Sequence, residues 1–182
     1  MVIYKLSEDL SWLTNLRSYI MTVNAIVACD SMHGIGKNGG LPWPHNEEDM
    51  KWFRKNTEGS IVVMGRKTWE SIGCRPLKQR INIVVSNSSL TGDFDNQYYG
   101  NMEKVLQVIQ SDYPDLDVWI IGGGEIYKQS LPYCDNLYLT RFKESYDCDT
   151  FLDHKQINQF SQLVKTDETS NEICEFSVWS QK

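Results

Sequence analysis

Four short stretches combine reactive or ligand-binding side chains in suggestive spacing. Asp49 stands three residues after Asn46, at the head of a helical pattern. A carboxylate there completes a capping arrangement and complements the helix dipole. Asp49, Met50 and Phe53 also share one helical face, which sets the acid among apolar side chains. Such a carboxylate can accept two parallel hydrogen bonds from a flat, amidine-bearing heterocycle. Gly122-Gly123-Gly124 lies between an apolar strand pattern and a helix pattern. It reads either as a tight turn or as backbone amides and a helix start turned toward a phosphate. Glu125, directly after it, argues against a purely anion-binding role. Gly65-Arg66-Lys67-Thr68 is a phosphate clamp or an ordinary solvated helix start. Arg80 could fork onto a substrate carboxylate or serve as a strand-edge charge. Each stretch has a plain structural explanation on its own. Together they point to an anionic cofactor and an anionic, ring-bearing substrate.

Other chemistries lack their residues. Gly34-Ile35-Gly36-Lys37-Asn38-Gly39 has dinucleotide-fingerprint spacing, but Leu41-Pro42-Trp43-Pro44 follows where a helix would have to begin. The stretch therefore reads as a mobile loop, and it lacks the Lys-Ser/Thr of a P-loop. His33, His45 and His154 form no metal-ligand spacing, so no metal is expected. No Gly-x-Ser-x-Gly elbow is present.

The chain has 182 residues, 41% of them hydrophobic, enough for one domain with a substantial core. A net charge of −6 disfavours a nucleic-acid partner held by phosphate contacts. No apolar run reaches the roughly 20 residues of a membrane helix. Five scattered cysteines, without a Cys-x-x-Cys pair, indicate a reducing, cytoplasmic setting. Residues 1–20 lack the order of a signal peptide. Leu6, Leu10, Leu13 and Ile20 recur at helical spacing, so this stretch reads as an N-terminal extension, helical or disordered. Met21 could then serve as the working start.

The elements that must position these groups alternate. Apolar strand patterns cover Ile26–Ala28, Ile61–Met64, Ile81–Val85 and Val118–Ile121. Helix patterns cover Asn46–Thr57, a brief stretch through Trp69 and Ile72, Met102–Ile109, and a run through Ile126, Tyr127 and Leu131. After Pro132 no further helix is expected, only strands at Leu137–Arg141, Ser161–Thr166 and Ile173–Trp179. This predicts a single α/β domain over residues 21–182: a mostly parallel central sheet, an antiparallel C-terminal edge and helices on both faces.

The stretch Gly34–Pro44 resembles the mobile active-site loop of dihydrofolate reductases, and Asn46–Thr57 resembles their acidic helix. Val63–Gly73 and Ile120–Tyr127 are similar to their cofactor segment and glycine turn. The match runs in order from about Met21 to the C-terminus. It implies a dihydrofolate reductase-like fold, NADPH as cofactor, dihydrofolate and antifolates as ligands, and hydride transfer producing tetrahydrofolate. The resemblance assigns Asp49 to the pterin, supported by Thr140, with Trp43 holding a water and Leu41 closing the loop. Val27, Ala28, Met50, Phe53, Ile72, Leu77 and Ile121 would form the apolar slot, and Arg80 would take the glutamate carboxylate. Gly65, Arg66, Lys67, Thr68, Ser86 and Asn87 would surround the adenosine phosphates. Gly122, Gly123 and Gly124, with Glu125 and Ile126 after them, would meet the pyrophosphate across a cis Gly122–Gly123 peptide. Ala28, Ile35 and Tyr127 would touch the nicotinamide. A monomer without nucleic-acid or membrane partners is expected.

The chain departs from the family pattern in places. Trp43 to Asp49 is a six-residue step where some members use five. Cys74 pushes Arg80 one residue along, and Glu125 stands where some relatives carry Arg. Two other readings remain: a reductase of this fold acting on another pterin or a pyrimidine intermediate, and a binding protein without turnover. The pairing of Asp49 with Arg80 favours a glutamate-tailed substrate, and the intact Leu41-Pro42-Trp43 loop speaks against loss of activity.

Overall fold

Strand residues here alternate between two packed faces, so each apolar run feeds two cores. The computed structural model describes residues 21–167 and 169–181, and the expected extension over residues 1–20 lies outside them. Strand β1 (Val23–Cys29) sends Val23, Ala25, Val27 and Cys29 to one face and Ile26 to the other. Strands β3 (Ile61–Gly65), β4 (Ile81–Val85) and β6 (Val118–Gly122) do the same, as with Ile61 and Val63 against Val62 and Met64. This period-two sidedness within predominantly apolar runs is what a sheet covered on both sides requires.

The helices supply the covers. Helices α3 (Met102–Asp112) and α4 (Gly124–Ser130) bury Met102, Val105, Ile109, Ile126 and Tyr127 in the first core. Helices α1 (Glu47–Thr57) and α2 (Arg66–Ser71) bury Trp52 and Trp69 in the second. Each such fully buried large side chain stabilises the fold by roughly 1.5–3 kcal/mol relative to exposure. Helix α1 starts where Asn46 caps it, its side chain accepting from the Asp49 N–H at 2.9 Å. Glu47, Glu48 and Asp49 in the first turn and Arg54 and Lys55 in the last suit the helix dipole.

With β5 (Asn96–Tyr98), β7 (Asn136–Phe142), β9 (Phe160–Thr166) and β10 (Cys174–Gln181), the sheet has eight strands in the order β5-β4-β3-β6-β1-β7-β10-β9. The β5–β4, β4–β3, β3–β6, β6–β1 and β1–β7 pairs are parallel, and β10 pairs antiparallel with both β7 and β9. The predicted α/β domain with an antiparallel C-terminal edge is therefore what the chain forms.

Four short elements and one helix end differ from expectation. A four-residue helix, α5 (His154–Ile157), follows Pro132, capped by Asp153. The glycine-rich loop is partly ordered into β2 (Gly34–Gly36), which pairs antiparallel with β8 (Thr150–Phe151). Strand β5 was also unforeseen. Pieces of two to four residues are too short to display a period. The expected helix through Leu131 ends at Ser130 and tightens into a 3-10 turn over Leu131–Tyr133, with Pro132 inside it.

Candidate active site

Strands β1 and β6 pair only through Val23–Ala25 and Val118–Ile120, then separate. A crevice opens there, beyond the carboxyl ends of the parallel strands, where doubly wound sheets admit ligands. A cavity of about 720 Å³ occupies it, floored by Val27, Ala28, Gly65, Val85, Ile121 and Gly122.

The glycine turn forms one wall. The Gly122–Gly123 peptide is cis, and Gly122 has φ +118°. A Cβ on Gly123 would lie 3.2 Å from Thr68 Oγ1, and one on Gly122 would lie 3.2 Å from the Tyr127 ring. A Cβ on Gly124 would come within 2.8 Å of the Thr150 methyl, and one on Gly65 within 2.8 Å of Ile126. Bare backbone at these positions leaves a cradle that side chains would fill. Arg66, Lys67, Thr68, Ser86 and Asn87 line the same cavity. One Arg66 guanidinium nitrogen reaches both Glu70 carboxylate oxygens, at 2.7 and 2.9 Å. The Ser86 hydroxyl accepts from the Ser88 N–H at 3.0 Å and shapes the turn after β4.

Asp49, like Thr140 and Trp43, is not among the residues that line this cavity. Asp49 is only 5% exposed although it sits in the first turn of a helix. Burial raises its pKa, and the Thr140 hydroxyl opposes part of that rise. Its side chain therefore serves a tertiary contact, while Asn46 does the capping. Thr140 is the register partner of Ala28, which lines the cavity, so the acid is held one strand away from the glycine wall. Trp43 is buried against Phe142, ring centroids 4.5 Å apart. Its indole Nε1–H is buried without a protein partner, as are those of Trp52 and Trp119.

The remaining predicted residues divide. Ile35, Leu41, Ile121, Glu125, Ile126 and Tyr127 line the cavity with the glycines. Phe53, Ile72 and Leu77 are half-buried against the second core together with Ala28 and Ile121, and Met50 is half-buried on α1. These four and Arg80 are not part of the cavity wall. Arg80 is fixed nearby: Nε donates to the Lys78 carbonyl at 2.9 Å, and Nη1 donates to Thr57 Oγ1 at 3.0 Å. Its guanidinium carbon stands 6.0 Å from the Phe53 ring centroid.

Sequence reasoning missed the loop partners. Asp30 is buried, and its carboxylate accepts from the N–H groups of Met32 at 2.9 Å, Gly34 at 2.7 Å and Tyr146 at 2.8 Å. Asp149 accepts from the Asn38 N–H at 2.7 Å, and Lys37 pairs with Asp147 at 3.0 Å. Thr150 and Phe151 bring β8 to the cavity edge. The one available signal was the acidic spacing Asp147-x-Asp149, which carries no partner information.

The dihydrofolate reductase family model matches residues 22–181. The dihydrofolate reductase of Haemophilus influenzae is 39% identical over 171 residues, covering 89% of this chain and all of that protein. The mouse (Mus musculus) enzyme is 33% identical over 187 residues, covering 90% of this chain and 99% of its own length. Dihydrofolate reductase from Enterococcus faecalis, solved with NADP(H) and RAB-propyl, superposes with a TM-score of 0.75 at 31% identity, covering 88% of this chain and 96% of that one.

Proposed function

The chain belongs to the dihydrofolate reductase family, and from that premise we propose how its residues divide the work. It is an NADPH-dependent reductase that converts 7,8-dihydrofolate to 5,6,7,8-tetrahydrofolate, serving one-carbon metabolism and thymidylate synthesis. Bound NADPH supplies the hydride. The glycine cradle, which a single Cβ would obstruct, fits a dinucleotide pyrophosphate. Arg66, Lys67, Thr68, Ser86 and Asn87 would hold the adenosine phosphates, with Gly65, Glu125 and Ile126 completing the wall. Ala28, Ile35 and Tyr127 would hold the nicotinamide end.

Asp49 carries the chemistry of the substrate end. As a buried carboxylate it would accept hydrogen bonds from the pterin amide and 2-amino group. Its charge would favour protonation at N5, an electrostatic effect of several kcal/mol in a dry site. Thr140 orients the carboxyl, Trp43 would hold a water beside it, and Leu41, 56% exposed, would close over the ring. Val27, Met50, Phe53, Ile72, Leu77 and Ile121 would exclude water from the slot, and Arg80 would bind the glutamate carboxylate. The observation that carries this reading is the burial of Asp49, 5% exposed, with the Thr140 hydroxyl acting on its carboxyl and with Ala28, the strand neighbour of Thr140, lining the cavity of the triple glycine.

Small-molecule ligands, dihydrofolate and antifolates among them, suit this site. We read the protein as a cytoplasmic monomer built from the domain at 21–182 behind an extension at 1–20, without nucleic-acid or membrane partners. Among the described residues no helix is long and apolar enough to cross a membrane. The direct test mixes purified protein with NADPH and dihydrofolate and follows loss of reduced-nicotinamide absorbance. Turnover is expected, faster with NADPH than with NADH. Absence of turnover would contradict the reductase reading, and equal use of both cofactors would contradict the assignment of Arg66 and Lys67. A truncation beginning at Met21 is expected to fold and turn over.

A further inference from the structure

The cavity must accept an anion, yet it presents carboxylates of its own. Its charged lining consists of Arg66, Lys67 and Lys128 against Glu125 and Asp153. Arg66 is already chelated by Glu70, so its charge is partly spent before any ligand arrives. Lys67 is exposed and has no ion-pair partner among the described residues. Glu125 directly follows the last glycine of the cradle, in the first turn of α4. Its Oε1 accepts from Gln129 Nε2 at 2.7 Å, a neutral partner that positions the carboxylate without cancelling its charge. No cation pairs with it among the described residues.

We infer that Glu125 is a specificity-determining residue that lowers the preference of this chain for NADPH over NADH. The inference rests on the reading of the cavity as the dinucleotide site. A fixed negative charge repels every ligand charge in the same cavity, each in proportion to its size and inversely with its distance. NADPH carries the pyrophosphate and a phosphate monoester, whereas NADH carries the pyrophosphate alone. The carboxylate beside the cradle therefore opposes NADPH more than NADH. Lys67 acts in the opposite sense, as the uncommitted cation on the facing helix. Glu125 is exposed, so water and salt screen the repulsion, and the effect is moderate: about two- to fivefold in NADPH affinity at low ionic strength.

The test uses E125Q, because glutamine keeps an oxygen for the Gln129 amide and removes only the charge. Dissociation constants for NADPH and NADH are measured by quenching of intrinsic tryptophan fluorescence, at low and at high potassium chloride. E125Q is expected to bind NADPH about two- to fivefold tighter and NADH by a distinctly smaller factor, with the gain shrinking at high salt. The charge-reversing variant E125K extends the trend, and K67Q moves the NADPH-to-NADH ratio the other way. An unchanged NADPH affinity, or equal gains for both cofactors, overturns the role of Glu125. Failure of the unaltered protein to bind NADPH overturns instead the reading of the cavity itself.

Discussion

The Tyr127 hydroxyl donates to the Ile26 carbonyl at 2.7 Å, joining groups 101 residues apart. Ile26 is the first β1 residue beyond the stretch paired with β6. The tyrosine thus takes up a backbone acceptor exposed by the parting of the two strands, and the crevice keeps its hydrogen-bond ledger closed. The same ring packs beside Gly122, so the bond fixes the glycine wall relative to β1.

Tyr127→Phe is expected to leave the Ile26 carbonyl unpaired. Urea denaturation should show a loss of about 1–3 kcal/mol, the usual penalty for a buried unsatisfied group. NADPH should also bind more weakly, because the wall loses its anchor. Unaltered stability would show that the bond contributes nothing net.

Asp49→Asn should separate stability from activity. The carboxyl pKa is raised above 3.8 by burial, with Thr140 partly opposing the rise. Between 3.8 and its folded-state value, the unfolded chain releases a proton that the folded chain keeps. Stability therefore falls as pH rises through that window and stays lower above it. The amide escapes this cost, so at pH 7 the variant should melt about 2–4 °C higher, the shift that ~1 kcal/mol produces in a domain of this size. Its single-turnover hydride-transfer rate near neutral pH should drop by ~10²-fold or more. A variant with full rate would remove Asp49 from the mechanism.

Arg80→Leu should raise the KM for dihydrofolate by ~10- to 100-fold, as loss of a charge-assisted carboxylate contact does. The Kd of NADPH, measured by fluorescence, should not move, since Arg80 lies off the cavity wall. Thr57→Val should give a smaller increase in KM, because Thr57 Oγ1 only positions the guanidinium.

Asp30→Asn addresses the loop that carries Leu41. Burial alone would raise the Asp30 pKa, but the N–H donors of Tyr146, Gly34 and Met32 outweigh it and hold the value below 3.8. A depressed carboxylate stabilises the fold at pH above 3.8, and that contribution is lost as pH falls through the folded-state pKa. The asparagine variant should therefore be less stable by about 2–3 kcal/mol at pH 7. The difference should shrink in acid below pH 3.8, as urea midpoints at the two pH values would show. A gap that persists undiminished in acid would place the effect elsewhere.

Much of this protein is written locally. The run Ile61–Met64 and the pattern Ile81–Val85, interrupted only by Asn82, read as strands covered on both sides, because side chains on both faces of the pleat are apolar. Asn46 before three acidic residues marks the start of α1 whatever follows. Residue type leaves the glycine turn and the Gly65–Thr68 segment each with a plain structural reading, and the family resemblance assigns both to the cofactor. What surrounds them cannot be assigned that way. Whether Asp49 caps its helix or meets Thr140 depends on a β7 residue 91 positions further along. The three-donor grip of Asp30, the Asn38–Asp149 bond and the β2–β8 pair likewise join segments whose own patterns are silent. Periodicity records which face of an element is apolar, a property of neighbouring residues. The partner of a buried polar group is selected when the sheet order brings distant strand ends together, and only the folded chain makes that choice.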